Sequence, residues 1–293
     1  MRFVFILSML ACGPSTAEQR PTTVGTTPSN EPTWAIQLER PPVIGQPYRL
    51  HTTAHSRQAQ HLQEAGQPPQ SGVDEKRVTL VGTLQRTGEL TYWVDVESLE
   101  VTVGQSVQRP ISSGTRIEVT RGEPGVIAMN GQPMTGELAD WVGLVLADGP
   151  PRDEDALYGT RERQPIGGTW NFAPDVVSEL LGRMHVAVPN HEIHGGFQVV
   201  ELENEPVEAL RIRGTLEMDA IDFPEMPDAT VESGNVRVAM EWLMPTAPGV
   251  VSPFRSMHMS MNANLRIEDP DSGASATLGM EISMEREARL EPM

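Results

Sequence analysis

Residues 257–267, MHMSMNANLRI, indicate the fold class because apolar and polar side chains alternate along them without interruption. Successive side chains of an extended strand point to opposite faces. The odd-numbered residues therefore lie on one face of a predicted strand, and the even-numbered residues lie on the other. The dry face carries Met257, Met259, Met261, Ala263, Leu265 and Ile267.

The same alternation recurs in three neighbouring stretches, residues 210–220, 236–244 and 274–285. Turns join these stretches, so together they predict an antiparallel meander with one wet and one dry face. A strand of eleven residues is roughly 36 Å long, and a sheet of such strands must twist and curl. The C-terminal part of the chain therefore predicts a long curved sheet.

Shorter strands are predicted before this meander, and one of them has a break in its pattern. In residues 91–103, TYWVDVESLEVTV, the apolar phase shifts at Ser98–Leu99, which indicates a β-bulge. Residues 56–71 are polar and rich in glutamine, so they are predicted to form a loop. The other predicted strands cover residues 48–53, 78–84, 116–120, 126–129 and 197–202.

Two stretches change to the helical period. Residues 135–147, TGELADWVGLVLA, and residues 174–184 place their apolar side chains on one side of a helix. The dry face of the sheet needs a cover, and these helices supply the apolar stripes for it. The predicted fold is therefore mainly β (α+β): a long curved antiparallel sheet or half-barrel with two helices over its apolar face. Residues 34–293 are predicted to form one domain, with a subdivision near residues 148–168 as the alternative.

The charge balance excludes one class of partner. The 293 residues include 22 Lys and Arg against 40 Asp and Glu, which gives a formal charge of −18. Such a field repels nucleic acid and anionic headgroups. We therefore expect no nucleic-acid partner.

The N-terminus has the pattern of an export signal that ends at a single cysteine. Arg2 precedes a short apolar run from Phe3 to Leu10, and Ala11 then precedes Cys12, the only cysteine of the chain. This pattern resembles the lipobox of bacterial lipoproteins, although Leu10 stands where a small residue is usual. The alternative is ordinary secretion of a protein with one free thiol.

The lipobox resemblance implies an anchor and a location. Residues 1–11 would be a signal peptide, and Cys12 would carry acyl chains such as palmitate. Residues 12–33, rich in Pro, Thr, Ser and Gly, would be a flexible tether. Gly13 rather than Asp follows the cysteine, which in that family favours the outer membrane, facing the periplasm or the cell surface. The predicted architecture also resembles the LolA/LppX-type lipoprotein half-barrels.

One group of candidate site residues lies on the predicted dry face. Methionine is flexible and is common at surfaces that accept varied apolar partners. The face could hold a lipid or another apolar ligand, or its methionines could fill the core and leave no ligand space; Cu(I), which suits thioethers, is a third alternative. The residues are Met218, Met240, Trp242, Met244, Met257, Met259, Met261, Met280 and Met284.

A second candidate group is the histidine-rich stretch HVAVPNHEIH. His185, His191 and His194 surround Glu192 in an HExH pattern, which lacks the HExxH spacing that places two imidazoles on one helical face. A surface loop is favoured over a zinc site there. The sequence contains no G-x-S-x-G, P-loop or dinucleotide fingerprint. We therefore predict no enzymatic activity, no cofactor and no metal.

Two hypotheses about function follow from the sequence. The first is a membrane-anchored envelope lipoprotein whose methionine-lined face binds an apolar ligand. The second is a structural or interaction lipoprotein of the envelope with a filled core, which acts through its acidic outer surface.

Overall fold

The computed structural model of the chain describes most of the residues after the predicted tether. These are residues 32–64, 66–122, 125–146, 154–172, 174, 177–178, 181, 186–204, 207–224, 229–268 and 275–293. Within these ranges, no helix is both long and apolar enough to cross a membrane. Cys12 and the predicted tether up to residue 31 lie outside them.

The described residues form one antiparallel sheet of thirteen strands that does not close. The order across the sheet is β7-β6-β5-β3-β2-β1-β13-β12-β11-β10-β9-β8, and β4 pairs with β3 beside β5. The strands are β1 (Pro47–Glu64), β2 (Gln70–Arg86), β3 (Thr91–Val103), β4 (Ser106–Gln108), β5 (Arg116–Thr120), β6 (Val126–Met129), β7 (Gln132–Pro133), β8 (Thr169–Trp170), β9 (Ile193–Glu203), β10 (Ala209–Asp219), β11 (Ala229–Pro245), β12 (Phe254–Glu268) and β13 (Ser275–Pro292).

The predicted C-terminal meander is confirmed. Strands β10 to β13 are consecutive neighbours, and each pairs antiparallel with the next. The predicted bulge in β3 is confirmed as well: Gly82 of β2 pairs with Val96 and Val81 pairs with Ser98, so Glu97 is the extra residue. An extra residue reverses the face to which later side chains point, which explains the phase shift in the sequence.

The loop predicted for residues 56–71 is wrong for most of its length. Residues 56–64 continue β1, and β2 begins at Gln70. These polar residues form a strand because both of their neighbours pair with them: Gln58, for example, lies opposite Asp74 of β2 and Ile282 of β13. Backbone pairing on both sides outweighs the weak strand preference of glutamine.

Of the two helices expected over the sheet, one is established. The prediction for residues 135–147 is confirmed by α1 (Glu137–Val145), which buries Trp141, Val142 and Val145. The second prediction, residues 174–184, lies largely outside the described residues, which include only 174, 177, 178 and 181 of it. Besides α1, the described chain has a short α2 (Glu154–Tyr158) and a 3-10 helix (Asn190–Glu192).

Two hydrophobic cores share the dry face of this one sheet. The first lies between α1 and strands β1, β2, β3, β5 and β6, and includes Leu80, Val94 and Ile117. The second lies over β9 to β13 and includes Leu38 and Phe172 from non-helical segments. Val177 and Leu181, from the stretch predicted as the second helix, are also buried in this core.

Candidate functional site

The nine residues predicted for the dry face do share one face of the sheet, since the strand registers place them opposite one another. Val236 lies opposite both Met218 and Met261, and Met240 opposite Met257. Six of the nine are buried: Met218, Met240, Trp242, Met244, Met261 and Met280. The remaining three are only half-buried: Met257, Met259 and Met284.

We name these three half-buried residues the methionine strip. Met259 on β12 pairs directly with Met284 on β13, and Met284 in turn lies opposite Ser56 on β1. Met257 and Met259 are packed at the margin of the second core, whereas Met284 belongs to neither core. The methionine strip therefore lies at the boundary where one cover of the dry face ends and the other begins.

A guanidinium group lies at one end of the methionine strip. Arg286 on β13 is half-buried and is paired with Met257 on one side and Ala54 on the other. Its Nη2 donates a hydrogen bond of 2.7 Å to the carbonyl oxygen of Val145, the last residue of α1. Arg286 thereby joins α1 to the strip and places a positive charge beside it.

The wet face carries an open trough on the other side of the same strands. Its volume is about 570 Å³, and its lining comes mainly from outward-facing side chains such as Thr53, Arg77, Arg213 and Ser256. A second cavity, of about 540 Å³, lies beside residues 220–222 and 229–234. Neither is an enclosed chamber over the methionine strip, so a ligand there would lie along an open surface.

One wall of the trough is a row of two histidines and two carboxylates. His55, Glu285 and His258 occupy directly paired positions on β1, β13 and β12. Oε1 of Glu285 is 3.0 Å from Nδ1 of His258, and Nε2 of His55 is 2.8 Å from Oε1 of Glu75. The row links four strands through side chains and adds to the polar character of the trough.

A second charged group, at the far side of the trough, is centred on Arg211. Its Nε lies 3.0 Å from Oε1 of Glu201, and its guanidinium also contacts Glu203 and Glu241. Burial lowers the pKa of Arg211, but the hydrogen bonds and charges of Glu203 and Glu241 outweigh it, so the pKa is raised. Arg211 therefore stays cationic and holds together carboxylates that would otherwise repel one another.

The histidine-rich stretch is only partly brought together. His185 lies outside the described residues, and His191 is exposed on the 3-10 helix. Glu192 and His194, in contrast, lie next to Asp219 at the end of β10. The alternation of β10 places Asp219 on the wet face, but the strand before it was predicted to begin at Phe197, whereas β9 begins at Ile193 and includes His194.

The row of His55, Glu285 and His258 was also missed by the sequence analysis. Alternation correctly assigns Glu285 and His258 to the wet face, but β1 and β13 are the first and last strands of the described chain. Their pairing unites residues more than two hundred positions apart, and no local pattern indicates it.

Comparison with known proteins adds little. No protein-family model matches the chain. No curated protein matches it either. Among solved structures, the chain is similar to lipovitellin, in a structure concerned with its lipid–protein interactions, with a TM-score of 0.32 and 10% identity. That match covers 85% of this chain and 25% of the other, so the chain spans a quarter of that chain's length.

A second solved structure, DynF from the dynemicin biosynthesis pathway of Micromonospora chersina, gives a TM-score of 0.18 and 11% identity. That match covers 95% of this chain and 94% of the other. At these TM-scores, neither likeness bears on the function of this chain.

Proposed function

We propose that the chain is a lipid-anchored protein of the bacterial cell envelope that binds an apolar ligand, such as an acyl chain, along the methionine strip. The observation that carries this proposal is the position of Met259 and Met284. They are paired, half-buried and at the boundary between the two cores.

An extended ligand would follow β13. Beyond Met284, the side chains of Ile282 and Leu278 are also only partly buried on the same face, whereas Met280 between them is buried. The seven residues from 278 to 284 span about 20 Å, which suits an extended acyl chain. Each CH₂ group taken out of water contributes about 0.8 kcal/mol, and flexible thioethers adapt to such a chain without a preformed pocket.

Arg286 supports a ligand with an anionic end. Its guanidinium lies beside Met257 at the end of the strip. A fatty acid that lies along β13 would place its carboxylate near this charge, and Arg–carboxylate hydrogen bonds are among the stronger ones in proteins. The proposal therefore favours an acyl chain with a free carboxylate over a neutral hydrocarbon.

Binding of a fluorescent fatty acid to the purified chain tests the ligand. We expect saturable binding that is weakened at least fivefold in a Met259→Gln/Met284→Gln double variant, since glutamine keeps the length of the side chain but is polar. Met293→Gln is the matched control, because Met293 is exposed at the chain end. Binding that survives the double variant, or no binding by the wild-type chain, would reject the ligand proposal.

The anchor has a separate test. Each lipid chain contributes about 0.8 kcal/mol per buried CH₂, and stable anchoring takes two signals such as dual acylation. Anchoring through Cys12 would hold at the membrane a protein whose net charge of −18 opposes contact with anionic headgroups. We expect Cys12→Ala to move the protein from the membrane fraction to the soluble fraction. Retention of this variant in the membrane would overturn the anchor while leaving the ligand proposal intact.

A second candidate function is a structural or interaction lipoprotein without a ligand. Burial of six of the nine predicted face residues favours it, since methionines that fill a core leave no space for a guest. Native mass spectrometry of protein taken from its own envelope distinguishes the two candidates. Added mass from a lipid supports the ligand proposal, and a bare polypeptide that also fails to bind the fatty acid supports the second candidate.

A further inference from the structure

We propose that Glu192, His194 and Asp219 form a binding site for a divalent transition-metal ion of the Zn²⁺ type. Each residue offers one ligand atom, and the three atoms all lie within 4.8 Å of one another. Around a tetrahedral zinc ion with ligand bonds of about 2.1 Å, neighbouring ligand atoms are about 3.4 Å apart. The side chains therefore need to move by only about 1 Å to close on an ion.

The backbone holds these three residues in place. Glu192 ends the 3-10 helix, and its amide donates a hydrogen bond of 2.9 Å to the carbonyl of Pro189. His194 is the second residue of β9 and lies opposite Glu217, two residues before Asp219 ends β10. Two ligands thus come from paired strands, and the third comes from the turn that leads into one of them.

A pair of backbone hydrogen bonds also joins the two chain segments that flank the proposed site. Ala187, before the 3-10 helix, and Asp222, after β10, exchange amide-to-carbonyl bonds of 2.9 and 2.8 Å. Below the site, Met218 is buried in the second core and lies opposite Ile193. Ligands on strands that are fixed from below and from both ends favour a defined metal geometry over a mobile acidic surface.

The set of ligand atoms favours a particular class of ion. One imidazole with two carboxylates is typical of zinc and related transition metals, whereas Ca²⁺ and Mg²⁺ prefer oxygen ligands alone. Three protein ligands leave an open position for water, because His194 and Asp219 are exposed. Nε2 of the neighbouring His191 lies 3.3 Å from Oε1 of Glu192 and can orient that carboxylate or supply a fourth ligand.

The proposed site is separate from the methionine strip. His194 and Asp219 point to the wet face of the sheet, whereas the strip lies on the dry face. Metal binding and ligand binding can therefore succeed or fail independently. The net charge of −18 attracts cations to the whole surface, so the test must separate a defined site from weak general attraction.

Calorimetric titration of ZnCl₂ into the metal-free full chain, made without a histidine tag, tests the site. We expect one ion per chain and an affinity that falls at least tenfold in His194→Gln and in Asp219→Asn. His258→Gln is the matched control, because His258 belongs to the other group of histidines and carboxylates on the wet face. Its affinity for zinc should equal that of the wild-type chain.

Thermal unfolding gives a second readout. A metal that binds only the folded chain raises its melting temperature, so zinc should stabilise the wild type and the His258→Gln control but not the site variants. Circular dichroism checks that each variant is folded, and Glu192→Gln replaces any variant that is not. Absence of zinc binding, or equal binding by the wild type and the Asp219→Asn variant, would overturn the site.

Discussion

The second core is packed so closely at Gly214 that no side chain fits there. An ideal Cβ atom on Gly214 would lie 2.1 and 2.2 Å from two ring carbons of Phe197, which is paired with it on β9. The Phe197 ring is itself held by neighbouring rings, with centroids 5.6 Å from Trp170 and 6.0 Å from Trp242. The ring therefore has little space in which to yield.

We expect Gly214→Ala to lower the free energy of unfolding by about 1–3 kcal/mol, because it overpacks this site. Urea denaturation measures the change. Gly72→Ala is the matched control, since Gly72 also lies in a strand but nothing lies within 4 Å of the position its Cβ would take. An equal effect of both substitutions would show that overpacking is not the cause.

The pair of Asp95 and Arg116 predicts part of the response to acid. The two residues lie opposite each other on β3 and β5, and the guanidinium of Arg116 donates hydrogen bonds of 2.7 and 2.8 Å to the carboxylate of Asp95. The same guanidinium lies 3.9 Å from the ring centroid of Trp93. The hydrogen bond from Arg116 lowers the pKa of Asp95 in the folded chain. A carboxyl with a lowered folded pKa stabilises the fold above its unfolded pKa, about 3.9, and this contribution is lost as the pH falls through the folded value.

Asp95→Asn should therefore lower the melting temperature at pH 7 and reduce its fall between pH 5 and pH 2. The effect is small because the pair is exposed to solvent. Melting curves over this pH range measure it, with Glu291→Gln, an exposed carboxylate on β13, as the control. A variant with the acid response of the wild type would contradict the assignment.

Single residues show how far the sequence predicts the candidate site. The face of each methionine follows from alternation, which is a local property, and Met218, Met259 and Met284 are on the predicted face. The contrast between the buried Met218 and the half-buried Met284 does not follow, because it depends on where the two covers end. The approach of Asp219 to His194 does not follow either, because the predicted strand began at Phe197, whereas β9 begins at Ile193.

Trp141 of the first core and Trp170 of the second core differ in one hydrogen bond, and this difference tests how α1 packs on the sheet. Trp141 on α1 is buried, and its Nε1 has no hydrogen-bond partner among the described residues. Trp170 on β8 is equally buried, but its Nε1 donates a hydrogen bond of 2.8 Å to the carbonyl of Tyr158. A buried donor without a partner costs about 1–3 kcal/mol.

We expect Trp141→Phe to be less destabilising than Trp170→Phe by about 1–2 kcal/mol. Both substitutions remove a similar volume, but the first also removes an unsatisfied N–H group, whereas the second leaves the carbonyl of Tyr158 without its donor. Each variant is its partner's control in urea denaturation. A larger loss for Trp141→Phe would indicate that its N–H has an acceptor.

At the scale of the elements, the sequence predicts best where the local pattern and the pairing agree. Strands β10 to β13 and helix α1 each have an apolar period that matches their burial. The continuation of β1 through residues 56–64 was missed because its glutamines carry no apolar alternation, and it is stabilised as a strand by neighbours on both sides. The packing of Leu38 and Phe172 in the second core was missed because irregular segments have no period.

Across the whole molecule, the two cores are joined where β1 and β13, the first and last strands of the described residues, meet. Strand β1 pairs with β13 along nearly its full length, from Tyr48 opposite Pro292 to Glu64 opposite Ala276. The first core lies on the β1 side of this seam, and much of the second lies on the β13 side. The sheet is therefore one continuous ladder, although its dry face has two cores.

This seam predicts the effect of removing β13. A chain that ends at residue 274 would expose the edges of both β1 and β12 as long rows of unpaired amide and carbonyl groups, and it would uncover Met259 and Met261. Long unpaired edges with apolar side chains promote aggregation. We expect this variant to be insoluble or to lack a cooperative unfolding transition. The control is a chain shortened only by residues 291–293, which should unfold like the wild type because it keeps most of the β1–β13 ladder. If the chain ending at residue 274 were soluble and still unfolded cooperatively, each core would be stable by itself, and the seam would serve only to bring the methionine strip together.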